Sequence, residues 1–210
     1  MYKYIIFDFD GTIADTLDAG LPIYNEMARK HGFKEIRNLE GLRSITLREF
    51  IKRHKISRLR FLFYLRELLK RLNKDMNIVK PYKGMDNVIK KLNKRYKLGI
   101  VSANSKENIL KFLELNDLKY CFDFVYNYQL FLGKSQAFKK IIKGKKLSKD
   151  DIIYIGDEDS DIIAAKKAGI KIISVTWGMK NKNMLKNNEP DFIAEKPEDI
   201  LLFLEKEKAL

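Results

Sequence analysis

The sequence predicts an α/β fold in which a doubly wound parallel sheet is interrupted near its start by a small all-helical segment. Three observations carry that expectation. An apolar run over residues 4–7 ends in two closely spaced carboxylates, Asp8 and Asp10. Residues 15–80 then keep helical spacing throughout. From Pro81 onward helical and strand patterns alternate, the signature of βαβ units.

Taken in order, Tyr4-Ile5-Ile6-Phe7 reads as a buried strand. Side chains alternate along a strand, so Asp8 and Asp10 fall on the same side with Phe9 between them, and Gly11 lets the backbone turn sharply. Leu17, Leu21, Tyr24 and Ala28 then recur at helical spacing until Gly32 ends the segment. Thr46-Leu47-Arg48-Glu49 is a capping-box pattern opening a short helix that carries Phe50 and Ile51. Ser57 can cap a longer helix with Leu62, Leu65, Leu69 and Leu72 among its apolar positions. The expected division is residues 1–14 and 81–210 for a sheet-based core, with residues 15–80 as a helical cap.

Beyond Pro81, strands are expected at residues 98–101, 122–126, 152–155 and 170–175. Helices are expected between them. Residues 86–95 carry Val88, Ile89 and Leu92; residues 105–115 carry Ile109, Phe112 and Leu113; residues 136–143 carry Phe138, Ile141 and Ile142. A helix over residues 159–168 stops at Gly169, and a last one follows Pro197 with Ile200, Leu201 and Leu204.

The 210 residues, 45% hydrophobic, suffice for one sizeable core and a small accessory unit. A single cysteine, Cys121, in an apolar stretch excludes a disulfide within the chain, reads as a buried small hydrophobe and favours a reducing compartment. The N-terminal carboxylates arrive too early for a secretory signal, and the most apolar stretch, residues 59–65, contains Arg60 and is too short to span a bilayer. The expected location is cytoplasmic, with no membrane partner. The net charge is +14, and residues 14–80 hold sixteen Lys and Arg against eight Asp and Glu. Such a surface attracts polyanions, including small phosphorylated substrates. No aromatic-interleaved basic motif, helix-turn-helix or zinc pattern accompanies it, so nucleic acid is not the expected partner.

Doubly wound sheets bind ligands at the carboxyl ends of their strands, and four places meet that condition. Asp8 and Asp10 come first; two like charges so close require a cation or a shared proton, and Mg²⁺ suits carboxylate oxygens while leaving positions for substrate phosphate. Second, Ser102-Ala103-Asn104-Ser105 follows a strand and precedes a helix, where its groups either hold a phosphate or serve as plain caps. Third, Lys134 heads a helix and can balance phosphate charge or simply be solvated. Fourth, Gly156-Asp157-Glu158-Asp159-Ser160-Asp161 follows a buried strand. An acidic helix N-terminus accounts for Glu158 and Asp159; it leaves unexplained why a second acidic cluster follows a second apolar strand.

These residues resemble, in order, the four motifs of the haloacid dehalogenase-like hydrolase superfamily: Asp8-Phe9-Asp10-Gly11-Thr12, Ser102, Lys134, and Gly156-Asp157 through Asp161. The resemblance implies a Rossmann-like core with the cap inserted between the first and second motifs, as in the phosphoglycolate phosphatase and β-phosphoglucomutase branch. Pro81-Tyr82-Lys83-Gly84 and the stretch from Asp157 to Gly169 also resemble that branch. It implies that Asp8 is the nucleophile forming an aspartyl-phosphate and that Asp10 is the acid and base. Mg²⁺ would bind the Asp8 carboxylate, the Asp10 carbonyl and the Asp157 carboxylate, with Asp161 in the outer shell or orienting Lys134. Ser102, the Ala103 N–H and Lys134 would hold the phosphoryl oxygens. The pattern departs in two places: Asn104 stands two residues after Ser102, where many relatives place Asn directly after Ser or Thr, and Ser135 follows Lys134 where proline is common.

Specificity in this branch comes from the cap. Arg43, after Gly41 and before the Thr46 capping box, lies where relatives present a substrate loop, and there it either pairs with a substrate anion or is an exposed surface arginine. His31 and His54 read as packing or surface residues. The expected activity is Mg²⁺-dependent hydrolysis of a small phosphorylated metabolite such as phosphoglycolate, a sugar phosphate or a nucleotide. A phosphomutase is the nearest alternative, and a polyanion-binding protein using the basic cap is the alternative from another class.

Overall fold

The apolar runs become the strands of one parallel sheet. A computed structural model of the protein describes residues 2–74, 76–128 and 133–209. In chain order these form β1 (Tyr4–Phe7), helices α1 (Thr16–His31), α2 (Leu39–Arg43), α3 (Leu47–Arg53) and α4 (Arg58–Lys74), then α5 (Met85–Asn93), β2 (Lys97–Ser102), α6 (Lys106–Leu115), β3 (Phe124–Asn127) and α7 (Lys134–Gly144). The chain continues through β4 (Ile152–Gly156), α8 (Asp159–Ala168), β5 (Lys171–Val175), α9 (Lys182–Lys186), β6 (Phe192–Ala194) and α10 (Glu198–Ala209). The six strands lie in the order β3-β2-β1-β4-β5-β6, and every neighbouring pair is parallel. This is the doubly wound, Rossmann-like arrangement.

Strand alternation divides the core between the two faces of the sheet. Ile5 and Phe7 face one side with Val88, Ile89, Phe112 and Ile200 of α5, α6 and α10, while Tyr4 and Ile6 face the other with Phe138, Ile141, Ile162 and Ala165 of α7 and α8. Full burial of one such side chain stabilises by about 1.5–3 kcal/mol, which fixes the strand register, because a one-residue slip would exchange the faces. Cys121 is buried as a small hydrophobe.

Four elements differ from the sequence reading. β6 and the five-residue helices α2 and α9 are additional, and the third strand spans Phe124–Asn127 where residues 122–126 are expected. Phe122 instead closes a 3₁₀ turn, its N–H donating to the Lys119 carbonyl. The expected loop leading to Gly133 falls partly outside the described residues.

The helical insertion leaves and rejoins the sheet at one place. The Asp15 N–H donates to the Lys80 carbonyl at 2.9 Å, and the Tyr82 N–H to the Ile13 carbonyl at 3.0 Å. Within it α1 packs against α4, where Arg71 of α4 pairs with Glu26 of α1 at 3.0 Å. The capping box at Thr46 and Glu49 forms as expected. His54 is buried, stacked on Phe50 with ring centroids 4.1 Å apart, and its Nδ1 lies 2.7 Å from the Tyr24 hydroxyl. Among the described residues no helix is long and apolar enough to cross a membrane.

Candidate active site

Sequence order and sheet order reverse between β1 and β4, and the crevice at such a point is where a parallel sheet can hold a ligand. Phe7 pairs with Ile155 in register, and the Asp8 N–H donates to the Ile155 carbonyl at 2.8 Å. Asp8 and Asp157 therefore leave neighbouring strand ends.

Asp8 Oδ1 accepts the Phe9 N–H at 2.7 Å, and Oδ2 accepts from Lys134 Nζ at 2.6 Å. Lys134 is the first residue of α7, and its ammonium also donates to Asp161 Oδ1. The second Asp161 oxygen accepts the N–H groups of Asp157 and Glu158, each at 3.1 Å. Asp161 thus fixes both the turn after β4 and the ammonium that faces Asp8. Gly156 makes room for it, since a Cβ there would lie 2.4 Å from Asp161 Oδ2.

Asp157 is held on both oxygens. Oδ1 accepts from the Thr12 hydroxyl at 2.8 Å, and Oδ2 from the Met179 N–H at 2.6 Å. Gly11 and Gly178 enclose it so closely that a Cβ on either would fall 2.2 or 2.3 Å from Oδ2, and Gly11 has φ +77°. Asp10 turns toward the end of β2. Its carboxylate accepts from Asn104 Nδ2 at 3.1 and 3.2 Å and from the Ser102 hydroxyl at 3.5 Å. The Asn104 carbonyl in turn accepts from Asn127 Nδ2 at 2.5 Å, tying this turn to the end of β3. Ala103 lies exposed between Ser102 and Asn104, its carbonyl 3.3 Å from the same Asn127 amide.

Burial pushes the Asp8 carboxyl up to about 7, against the pull of Lys134 and with the charge of Asp161 adding to it. Burial likewise raises Asp10, opposed by the hydrogen bonds from Asn104 and Thr16. Asp157 stands well above the ordinary carboxylate range through burial and the charges of Asp161, Glu158 and Asp8. For Lys134, burial disfavours the ammonium, yet Asp161 and Asp8 more than offset it and keep the group protonated. One ammonium therefore faces more negative charge than it can neutralise. A compensating cation would remove that frustration.

The residues present fit such a cation. Ligand oxygens of Asp8, Asp157 and Asp161 lie within 4.8 Å of one another. Asp161 holds Lys134 and two backbone N–H groups, while Asp8 and Asp157 each have an oxygen that an ion could take in exchange for one present hydrogen bond. An all-oxygen set of hard carboxylates suits Mg²⁺.

Arg43 lies at the end of α2 rather than in an open loop, because the Asn38 side chain accepts the Gly41 N–H at 3.1 Å and starts a helical turn there. Its guanidinium donates to the Thr176 carbonyl after β5. The sequence reading gave Thr12 no part beyond the first motif and missed Met179 and Lys180, although Trp177-Gly178 is one more turn following an apolar strand and meets the same positional condition as the other four.

Comparison with known proteins identifies the family and the fold. Residues 5–175 match the family described as haloacid dehalogenase-like hydrolase. The chain is 30% identical over 200 residues to a phosphoglycolate phosphatase of Synechococcus elongatus, covering 94% of each chain. It is 27% identical over 131 residues to the pyrophosphatase PpaX of Bacillus anthracis, covering 60% of this chain and 61% of that one. Among solved structures, a haloacid dehalogenase-like family hydrolase from Streptococcus pneumoniae superposes with a TM-score of 0.80 at 21% identity, covering 97% of this chain and 98% of the other. The chain belongs to the haloacid dehalogenase-like hydrolase family.

Proposed function

We propose that the protein is a Mg²⁺-dependent phosphatase that hydrolyses a small phosphorylated metabolite through an aspartyl-phosphate on Asp8. The observation that carries this reading is the position of Asp8, paired with Lys134 at 2.6 Å and two residues from a second carboxyl, the half-buried Asp10, whose protonation desolvation favours. A nucleophile beside a cation and an acid beside the nucleophile are what stepwise phosphoryl transfer requires.

In the first step an Asp8 oxygen attacks phosphorus and the bond from phosphorus to the leaving oxygen breaks. Asp10 gives its proton to that oxygen, so the alcohol departs neutral. Asn104 and Ser102, hydrogen-bonded to Asp10, fix its direction. In the second step Asp10, now ionised, takes a proton from water, which attacks phosphorus and releases phosphate and the Asp8 carboxylate. Lys134, Ser102 and the Ala103 N–H orient the phosphoryl oxygens. Asp8, Asp157 and the Asp10 carbonyl would hold Mg²⁺, which would supply charge neutralisation for the transferring group.

Residues 15–80 act as the cap that closes over this crevice, and Arg43 within it reaches the core side of the junction. The extent of similarity to the phosphoglycolate phosphatase of Synechococcus elongatus makes phosphoglycolate the first substrate to assay. Purified protein should release phosphate from a generic aryl phosphate and from phosphoglycolate with Mg²⁺, and lose both activities with chelator or in Asp8→Asn. Normal turnover in that variant would sink the mechanism. Isomerisation of a sugar phosphate without phosphate release would point to a mutase.

A further inference from the structure

The segment after β5 touches both halves of the molecule. From the core side, the Met179 N–H donates to Asp157 Oδ2 at 2.6 Å and the Lys180 N–H to the Asp157 carbonyl at 3.3 Å. The preceding Trp177 donates its indole N–H to the Thr12 carbonyl at 3.1 Å, and Thr12 itself binds the other Asp157 oxygen. From the cap side, Lys180 Nζ donates to the Ile45 carbonyl at 2.6 Å, and the Asn181 N–H to the Arg43 carbonyl at 3.2 Å. The Arg43 guanidinium reaches the Thr176 carbonyl, and Asn181 Nδ2 lies 3.2 Å from a Glu40 carboxylate oxygen.

Lys180 stands out within this strap. Its side chain is buried at 7% exposure, and the partner found for its ammonium is a cap carbonyl rather than a carboxylate. That carbonyl belongs to the cap, as does the Glu49 carboxylate that feels the same ammonium, so the contact exists only while the cap is docked. When the cap lifts, the Lys180 ammonium, the Asn181 N–H and the Thr176 carbonyl lose their cap partners together. The Met179 N–H, one residue away, then rests on a loop held from the core side alone.

We propose that Lys180 and Arg43 are positioning residues that couple closure of the cap to the presentation of Asp157 to Mg²⁺. The proposal rests on the metal reading given above and extends it. Cap docking holds residues 176–181, those residues hold Asp157, and Mg²⁺ bound at Asp157 favours the docked cap in return, because coupling between two sites is reciprocal. Metal loading and substrate enclosure thus become one equilibrium.

The test uses the full chain without substrate and measures Mg²⁺ binding by calorimetry, with fluorescence of Trp177, the only tryptophan, as a second reading. In Lys180→Met the Mg²⁺ dissociation constant should rise about five- to tenfold, while Lys180→Arg recovers part of the loss. In wild type Mg²⁺ should slow exchange of the Asn181 amide, and in Lys180→Met that slowing should shrink. Arg43→Met, which removes the other tether without touching the buried ammonium, should weaken Mg²⁺ binding in the same direction and keeps the test available if Lys180→Met does not fold. Wild-type Mg²⁺ affinity and unchanged Asn181 protection in a folded tether variant would overturn the coupling alone. A wild-type protein that binds no Mg²⁺ would overturn the metal reading and the coupling with it.

Discussion

Lys134 and Asp8 meet in a 2.6 Å ion pair that joins the first residue of α7 to the residue following β1. Both side chains are largely withdrawn from solvent, and Asp161 shares the same ammonium. A buried cation placed between two carboxylates holds Asp8 Oδ2, while the Phe9 N–H holds Oδ1.

Removing that ammonium should be costly in two separable ways. Lys134→Met leaves Asp8, Asp157 and Asp161 facing one another without their cation, so the fold should lose about 3–5 kcal/mol, read as a lower denaturant midpoint. Turnover, measured where the variant is still folded, should fall by about 10²–10³. An unaltered midpoint would show that the ion pair contributes nothing to the fold.

Asp10→Asn should separate the two chemical steps. The variant cannot protonate a poor leaving group or activate water, but an aryl leaving group departs without help. Rapid mixing with an aryl phosphate should show a burst close to one product per enzyme, followed by slow turnover and a phosphorylated protein visible by mass spectrometry. Steady turnover at the wild-type rate would remove Asp10 from the proton path.

Gly178→Ala tests the close packing around Asp157. The added Cβ would lie 2.3 Å from both Asp157 Oδ2 and the Gly11 carbonyl, so one of them must move. A stability loss of about 1–3 kcal/mol is expected from overpacking, together with a higher Mg²⁺ concentration for half-maximal activity. Full retention of both would mean that the two turns are not in contact in solution.

His54 should give the cap its own pH response. Burial, together with the Lys34 charge, depresses its pKa below 6.5, so the folded state binds fewer protons than the unfolded chain. Stability is therefore fully present above 6.5 and declines as pH falls through 6.5 toward the folded-state pKa, below which the loss levels off. Between about pH 7.5 and about pH 5.5, wild type should lose more Tm than His54→Gln. Equal losses would show that protonating His54 costs the fold nothing.

Much of this was legible in the sequence for one physical reason: a buried parallel strand is a continuous apolar run, and whatever follows it stands at the ligand-binding edge. That rule pointed to Asp8, Asp10, Ser102 and Asp157, which stand at strand ends, while Lys134 was singled out as the head of a helix beyond a loop. It missed β6, only three residues long, and α9, only five, because neither is long enough to show a period. It also missed the Met179 N–H, since a backbone donor carries no residue signature. Thr12 was visible as a residue but not as the hydroxyl that holds Asp157, a contact spanning 145 positions in the chain. Arg43 was picked out by type and place, yet its partner, the Thr176 carbonyl, depends on how the insertion docks.

The two crossings between sheet and insertion run side by side, with Asp15 bonded to Lys80 and Tyr82 to Ile13. A segment whose ends are already neighbours can be lengthened, shortened or exchanged without asking any strand to move. The strand ends that carry Asp8 and Asp157 and the helical insertion can thus diversify at different rates. Joining Ala14 to Pro81, which already form a bridge, would show how far the sheet folds without Leu72, Met76 and Val79, the side chains the insertion lends to its core.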